Sequence, residues 1–105
     1  MILHDLFDLI EDRKIQQPAN SYTVKLLNDE NKAAQKVGEE AVEVVIAALN
    51  QSKDQLIEES ADLLFHLLVL LSSQDVTLSD VESALTKRRK WTPIYIKADN
   101  QLTIL

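Results

Sequence analysis

Ile2, Leu3, Leu6, Phe7, Leu9 and Ile10 recur at three- and four-residue intervals with Asp5 and Asp8 between them, the spacing of one apolar helix face. An amphipathic first helix is expected from Ile2 to about Arg13. Gln16-Gln17-Pro18-Ala19-Asn20 interrupts the period, and Ser21 offers a hydroxyl N-cap for a short second helix reaching Leu27. Asn28-Asp29-Glu30-Asn31 reads as a polar turn. Two longer helices follow, from about Lys32 to Asn50 and from about Lys53 to Ser72, joined at Gln51-Ser52. So short a connection makes them antiparallel neighbours. Thr77-Leu78-Ser79-Asp80 starts a fifth helix that ends in Lys87-Arg88-Arg89-Lys90. Beyond Trp91-Thr92-Pro93 the period changes: Ile94-Tyr95-Ile96 and Leu102-Thr103-Ile104-Leu105 flank Asp99-Asn100, which suggests an extended tail or small hairpin. Neither a repeat nor an interdomain linker is visible, and residues 1–105 read as one domain with a tail over 91–105.

Projected at the helical angle, the third helix carries Val37, Ala41, Val44 and Ala48 on one side and Val42, Ile46 and Leu49 on another, with Lys36, Glu40, Glu43 and Ala47 in the strip between. The fourth is apolar nearly all round from Leu63 to Leu71, apart from the line Glu58, Glu59, Asp62 and His66. Such helices are buried ones, so their polar lines are expected to point into protein. Two carboxylate clusters result, Glu39-Glu40-x-x-Glu43 and Glu58-Glu59-x-x-Asp62, each projecting from one stripe. Two bare carboxylates about 4 Å apart repel by roughly 4 kcal/mol at an effective dielectric near 20. Converging acids therefore need protons or a hard divalent cation, and magnesium suits an all-oxygen site that must also leave room for a phosphate-bearing substrate. The competing explanation is a solvated acidic face. It expects Lys or Arg four residues after the acids, and none follows Glu39, Glu40, Glu43, Glu58 or Glu59 at that distance.

Composition narrows the class. One glycine, two prolines and 46% hydrophobic residues favour an all-α fold, an antiparallel helical bundle. Without cysteine there is no disulfide framework and no thiolate chemistry, as expected of a cytoplasmic protein. The first ten residues include His4, Asp5 and Asp8 and lack the pattern of a signal peptide. The apolar run Ala61–Leu71 is too short to span a membrane and is broken by Asp62 and His66. A net charge of −6 argues against general nucleic-acid binding. Among single residues, His66 lies one turn beyond Asp62 and either orders water or a phosphate or is a hydrogen-bonded core histidine. Lys32 and Lys36, one turn apart, lead into the first cluster as phosphate ligands or as ion-pair partners. The Lys87–Lys90 run sits where a helix dipole welcomes cations, with phosphate binding as its alternative role.

Ser21-Tyr22-Thr23-x-x-Leu26, Lys36-Val37-Gly38-Glu39-Glu40-Ala41-x-Glu43 and Glu58-Glu59-Ser60-Ala61-Asp62-Leu63-Leu64-Phe65-His66, followed by Asp80-Val81 and Arg88, closely resemble the phosphoribosyl-ATP pyrophosphohydrolases. These belong to the MazG-like all-α nucleotide pyrophosphohydrolases. The resemblance runs from about residue 3 to residue 89. It implies hydrolysis of phosphoribosyl-ATP in histidine biosynthesis by a homodimer, with Glu40, Glu43, Glu59 and Asp62 as magnesium ligands. Glu39 would be an extra ligand or a water-orienting base, and Glu40 would share in catalysis. Lys36, with Lys32, His66 and Arg88, would contact the substrate. Relatives also occur fused to the cyclohydrolase of the next step, for which 105 residues leave no room. Two other functions fit the same sequence pattern: a MazG-like house-cleaning enzyme for simple or damaged nucleoside triphosphates, and a helical dimerisation module without turnover.

Overall fold

The computed structural model describes residues 2–50 and 52–89. Helices α1 (Ile2–Gln16), α2 (Tyr22–Leu27), α3 (Glu30–Asn50), α4 (Lys53–Ser73) and α5 (Leu78–Arg89) follow one another, with no strand among the described residues. The all-α expectation holds. The extended tail or hairpin expected beyond Trp91 lies outside the described residues.

Local chemistry sets the helix ends. Ser21 accepts from the Val24 N–H at 3.2 Å and Ser52 from the Gln55 N–H at 3.3 Å, each satisfying an otherwise orphaned donor. Thr77 and Asp80 form a reciprocal capping box, with both bonds at 3.0 Å. The turn expected over Asn28–Asn31 is shorter than its polarity suggests, because Asp29 caps the Lys32 N–H at 3.1 Å and α3 already begins at Glu30. Similarly, α1 runs past Arg13 to Gln16 before Gln17 enters the left-handed region at φ 50°. Asn20 and Asp75 also adopt positive φ. The only glycine lies inside α3, so these turns use side-chain-bearing residues at a cost of roughly 1–2 kcal/mol each.

α3 and α4 pack as an antiparallel pair, while α1 and α2 pack on α4 and on each other. Phe7 and Ile10 of α1, Leu26 of α2, Ala33 of α3, Leu68 and Val69 of α4 and Leu78 of α5 form the core. A fully buried leucine or phenylalanine contributes about 1.5–3 kcal/mol. A polar seam closes the α1–α4 end: Lys14 donates to the Ser72 carbonyl and to Asp75, both at 2.7 Å, and the buried Ser72 hydroxyl donates to Glu11 at 3.2 Å. Along the hairpin, however, the all-round burial expected from the apolar pattern is incomplete. Val42, Val45, Ile46 and Leu49 of α3 and Ile57 and Leu64 of α4 remain exposed, because in one chain a hairpin covers only one side of each helix. Among the described residues, no helix is long and apolar enough to cross a membrane.

Candidate functional site

Antiparallel pairing brings the two acidic stripes together. Glu40 of α3 and Glu59 and Asp62 of α4 each present a carboxylate oxygen, and these three atoms lie within 4.8 Å of one another. Glu40 and Glu59 are half-buried and Asp62 is exposed, so the cluster opens to solvent on the Asp62 side. Desolvation first, and then the charges of Glu43, Asp62, Glu40 and Glu58, push the Glu59 carboxyl above its ordinary range. Glu43 thus acts on the cluster electrostatically while its own side chain stays exposed.

Lys36 borders the cluster, with Nζ 3.4 Å from Glu40 and 3.8 Å from Glu39. Burial pulls its pKa down, but the Glu40 bond and the charges of Tyr22, Glu39 and Glu40 outweigh this and hold it above the ordinary lysine value. Glu39 is exposed and accepts from Gln35 Nε2 at 2.9 Å. Lys32 lies one turn before Lys36, also exposed. His66 is buried, and both of its ring nitrogens are engaged: Nδ1 meets the Asp62 carbonyl at 2.7 Å and Nε2 the Tyr22 hydroxyl at 2.9 Å. A carbonyl can only accept, so Nδ1 carries the hydrogen, and in the neutral ring Nε2 accepts from Tyr22. Arg88 sits exposed near the end of α5, an element tied to α1 by the His4–Glu82 pair at 2.8 Å. The hairpin therefore gathers Glu40, Glu43, Glu59, Asp62, Glu39 and Lys36, while Arg88 comes from a different part of the fold.

Neither charge nor helical spacing singles out Tyr22, which stands in the Ser21-Tyr22-Thr23 segment. The readable signal was an aromatic directly after an N-capping serine. A cavity of about 540 Å³ lies between α1 and the start of α5, lined by His4, Asp8, Glu11 and Lys14 among others. Lys14 and Glu11 are committed to the polar seam there, and among the described residues the converging ligand set is the Glu40–Glu59–Asp62 cluster. Three hard oxygen donors with one lysine beside them fit a divalent cation of the magnesium class.

Residues 3–89 match the family model described as phosphoribosyl-ATP pyrophosphohydrolase. The chain is 50% identical over 97 residues to the phosphoribosyl-ATP pyrophosphatase of Caulobacter sp. (strain K31), covering 92% of this chain and 91% of that protein. It is 47% identical over 100 residues to the protein of the same name from Paracoccus denitrificans, covering 94% and 93%. With the archaeal protein of that name from Methanosarcina acetivorans it shares 44% over 92 residues, covering 85% and 88%. On the extent of these matches, the chain belongs to the phosphoribosyl-ATP pyrophosphohydrolase family.

Proposed function

We propose that this chain hydrolyses the α–β phosphoanhydride of 1-(5-phosphoribosyl)-ATP, releasing pyrophosphate and 1-(5-phosphoribosyl)-AMP, as a step of histidine biosynthesis. It works as a magnesium-dependent homodimer in the cytoplasm. The observation that carries the reading is the convergence of Glu40, Glu59 and Asp62 from two helices; the names of the relatives supply the substrate.

Glu40, Glu59 and Asp62 hold the metal, with Glu43 as a further ligand or a charge behind it. Magnesium bound there supplies neutralisation of phosphate oxygens and a water of lowered pKa. Glu39, next to Glu40 and facing solvent, takes the proton as the water oxygen bonds to phosphorus and the bridging P–O bond breaks. Lys36 and Lys32 hold phosphate oxygens. His66 acts at one remove through Tyr22, since its nitrogens are already bonded within the chain. The exposed stripe Val42, Val45, Ile46 and Leu49 suits a second copy of the chain, which would shelter the open side of the hairpin.

Glu40→Ala and Asp62→Ala variants should each lose at least about a hundredfold in pyrophosphate release from phosphoribosyl-ATP. Wild-type turnover in a folded variant removes the site. A wild-type preference for simple nucleoside triphosphates instead assigns the house-cleaning activity.

A further inference from the structure

Tyr22 is the first residue of α2, directly after the Ser21 cap, and is 50% exposed. A half-exposed tyrosine ordinarily turns its hydroxyl to water and its ring to protein. Here the orientation is reversed. The hydroxyl bonds inward to His66, which is 7% exposed, although half of the tyrosine residue meets solvent. The two rings stand nearly perpendicular, at 81° with centroids 5.9 Å apart, and Phe65 backs the imidazole at 82° and 5.1 Å. Contact with His66 is made through the hydroxyl and edge-on, so the imidazole does not stack on the tyrosine ring. The far imidazole nitrogen is bonded to Asp62, which fixes the ring that fixes the tyrosine. A half-exposed aromatic side chain is thus held, through His66, to the backbone of Asp62, one of the clustered acids.

We propose that Tyr22 is the platform for the purine of the substrate, and that it selects a purine made cationic by substitution at N1. This rests on the hydrolysis proposed above. A sugar on N1 turns the adenine ring into an amidine-type base that carries a proton at neutral pH, whereas the adenine of ATP is neutral. A tyrosine face attracts such a cation through its quadrupole, and a preference of about tenfold is the size expected at a partly exposed site. Because the hydroxyl is committed to His66, the ring needs no reordering on binding, which favours affinity.

Calorimetric titration with 1-methyl-AMP and with AMP, in magnesium, separates charge selection from general stacking. The wild type should bind 1-methyl-AMP about tenfold more tightly than AMP, and the preference should vanish as pH rises through the N1 pKa of the free ligand. Tyr22→Leu should lose the preference, while Tyr22→Phe, which keeps the ring, should retain most of it. Absence of preference in the wild type, a preference that survives the pH rise, or a preference unchanged in Tyr22→Leu overturns the proposal. Hydrolysis of phosphoribosyl-ATP measured in parallel keeps the two readings apart. In Tyr22→Leu, KM should rise about tenfold with kcat little changed. An unchanged KM sinks the platform and leaves the hydrolysis standing; no turnover by the wild type sinks the hydrolysis itself.

Discussion

Glu59 is where repulsion concentrates. Lost hydration and then four neighbouring acids raise its carboxyl above the ordinary value of 4.5. A folded pKa above the unfolded one means that folding takes up a proton between the two, so the stabilisation is complete below the unfolded value and is lost as pH rises through the folded one. Asp75 has the opposite sign: the Lys14 hydrogen bond and charge hold it below 3.8, and its contribution disappears as pH falls through the folded value. Their windows lie on either side of the ordinary carboxylate range and can be read separately. Glu59→Gln should therefore melt higher than the wild type in metal-free buffer at neutral pH, with a flatter melting profile above pH 4.5. Magnesium should raise the melting temperature of the wild type more than that of the variant. Identical melting profiles and identical magnesium responses would contradict the crowding of charge at this position.

Gly38 interrupts α3 two residues after Lys36, and a Cβ built there meets nothing within 4 Å. Gly38→Ala should stabilise the chain by about 0.5–1 kcal/mol through helix propensity, seen as a higher denaturant midpoint with an unchanged slope. A lower midpoint would show that a neighbour needs the space. Much of α3 and α4 was legible because two signals agreed. Acids three and four residues apart shared a stripe on each helix, and the Gln51-Ser52 connection forced an antiparallel register that sets Glu40 beside Glu59 and Asp62. The Ser21 cap was legible because a hydroxyl follows the Pro18 break and opens the short period reaching Leu27, whereas Ser52 and Thr77 could be read only as a turn and a helix start. Asp29 was not legible, because four consecutive polar residues carry no period from which to choose the capping one. The Tyr22–His66 bond was illegible for another reason: it joins two helices through single side chains, and no local spacing encodes such a contact. Burial of the outer apolar stripe was overestimated because an apolar residue has the same pattern whether its own chain or another covers it.

Val42, Val45, Ile46 and Leu49 recur at the spacing of one helix face, and Ile57 and Leu64 stand exposed on the paired helix. These residues are 38–76% exposed, so covering them gains only part of the roughly 1.5–3 kcal/mol of a full burial each, which still adds up to a driving force for self-association. Leu49→Glu, at a position 76% exposed, should shift the sedimenting species from dimer towards monomer without unfolding the chain. A wild type that sediments as a monomer at micromolar concentration would leave that face unexplained. The cation-binding claim is more central, and crystals grown with manganese test it through anomalous scattering. The account predicts a peak bounded by carboxylate oxygens of Glu40, Glu59 and Asp62. Crystals grown in saturating manganese that show no peak between those three side chains would contradict it.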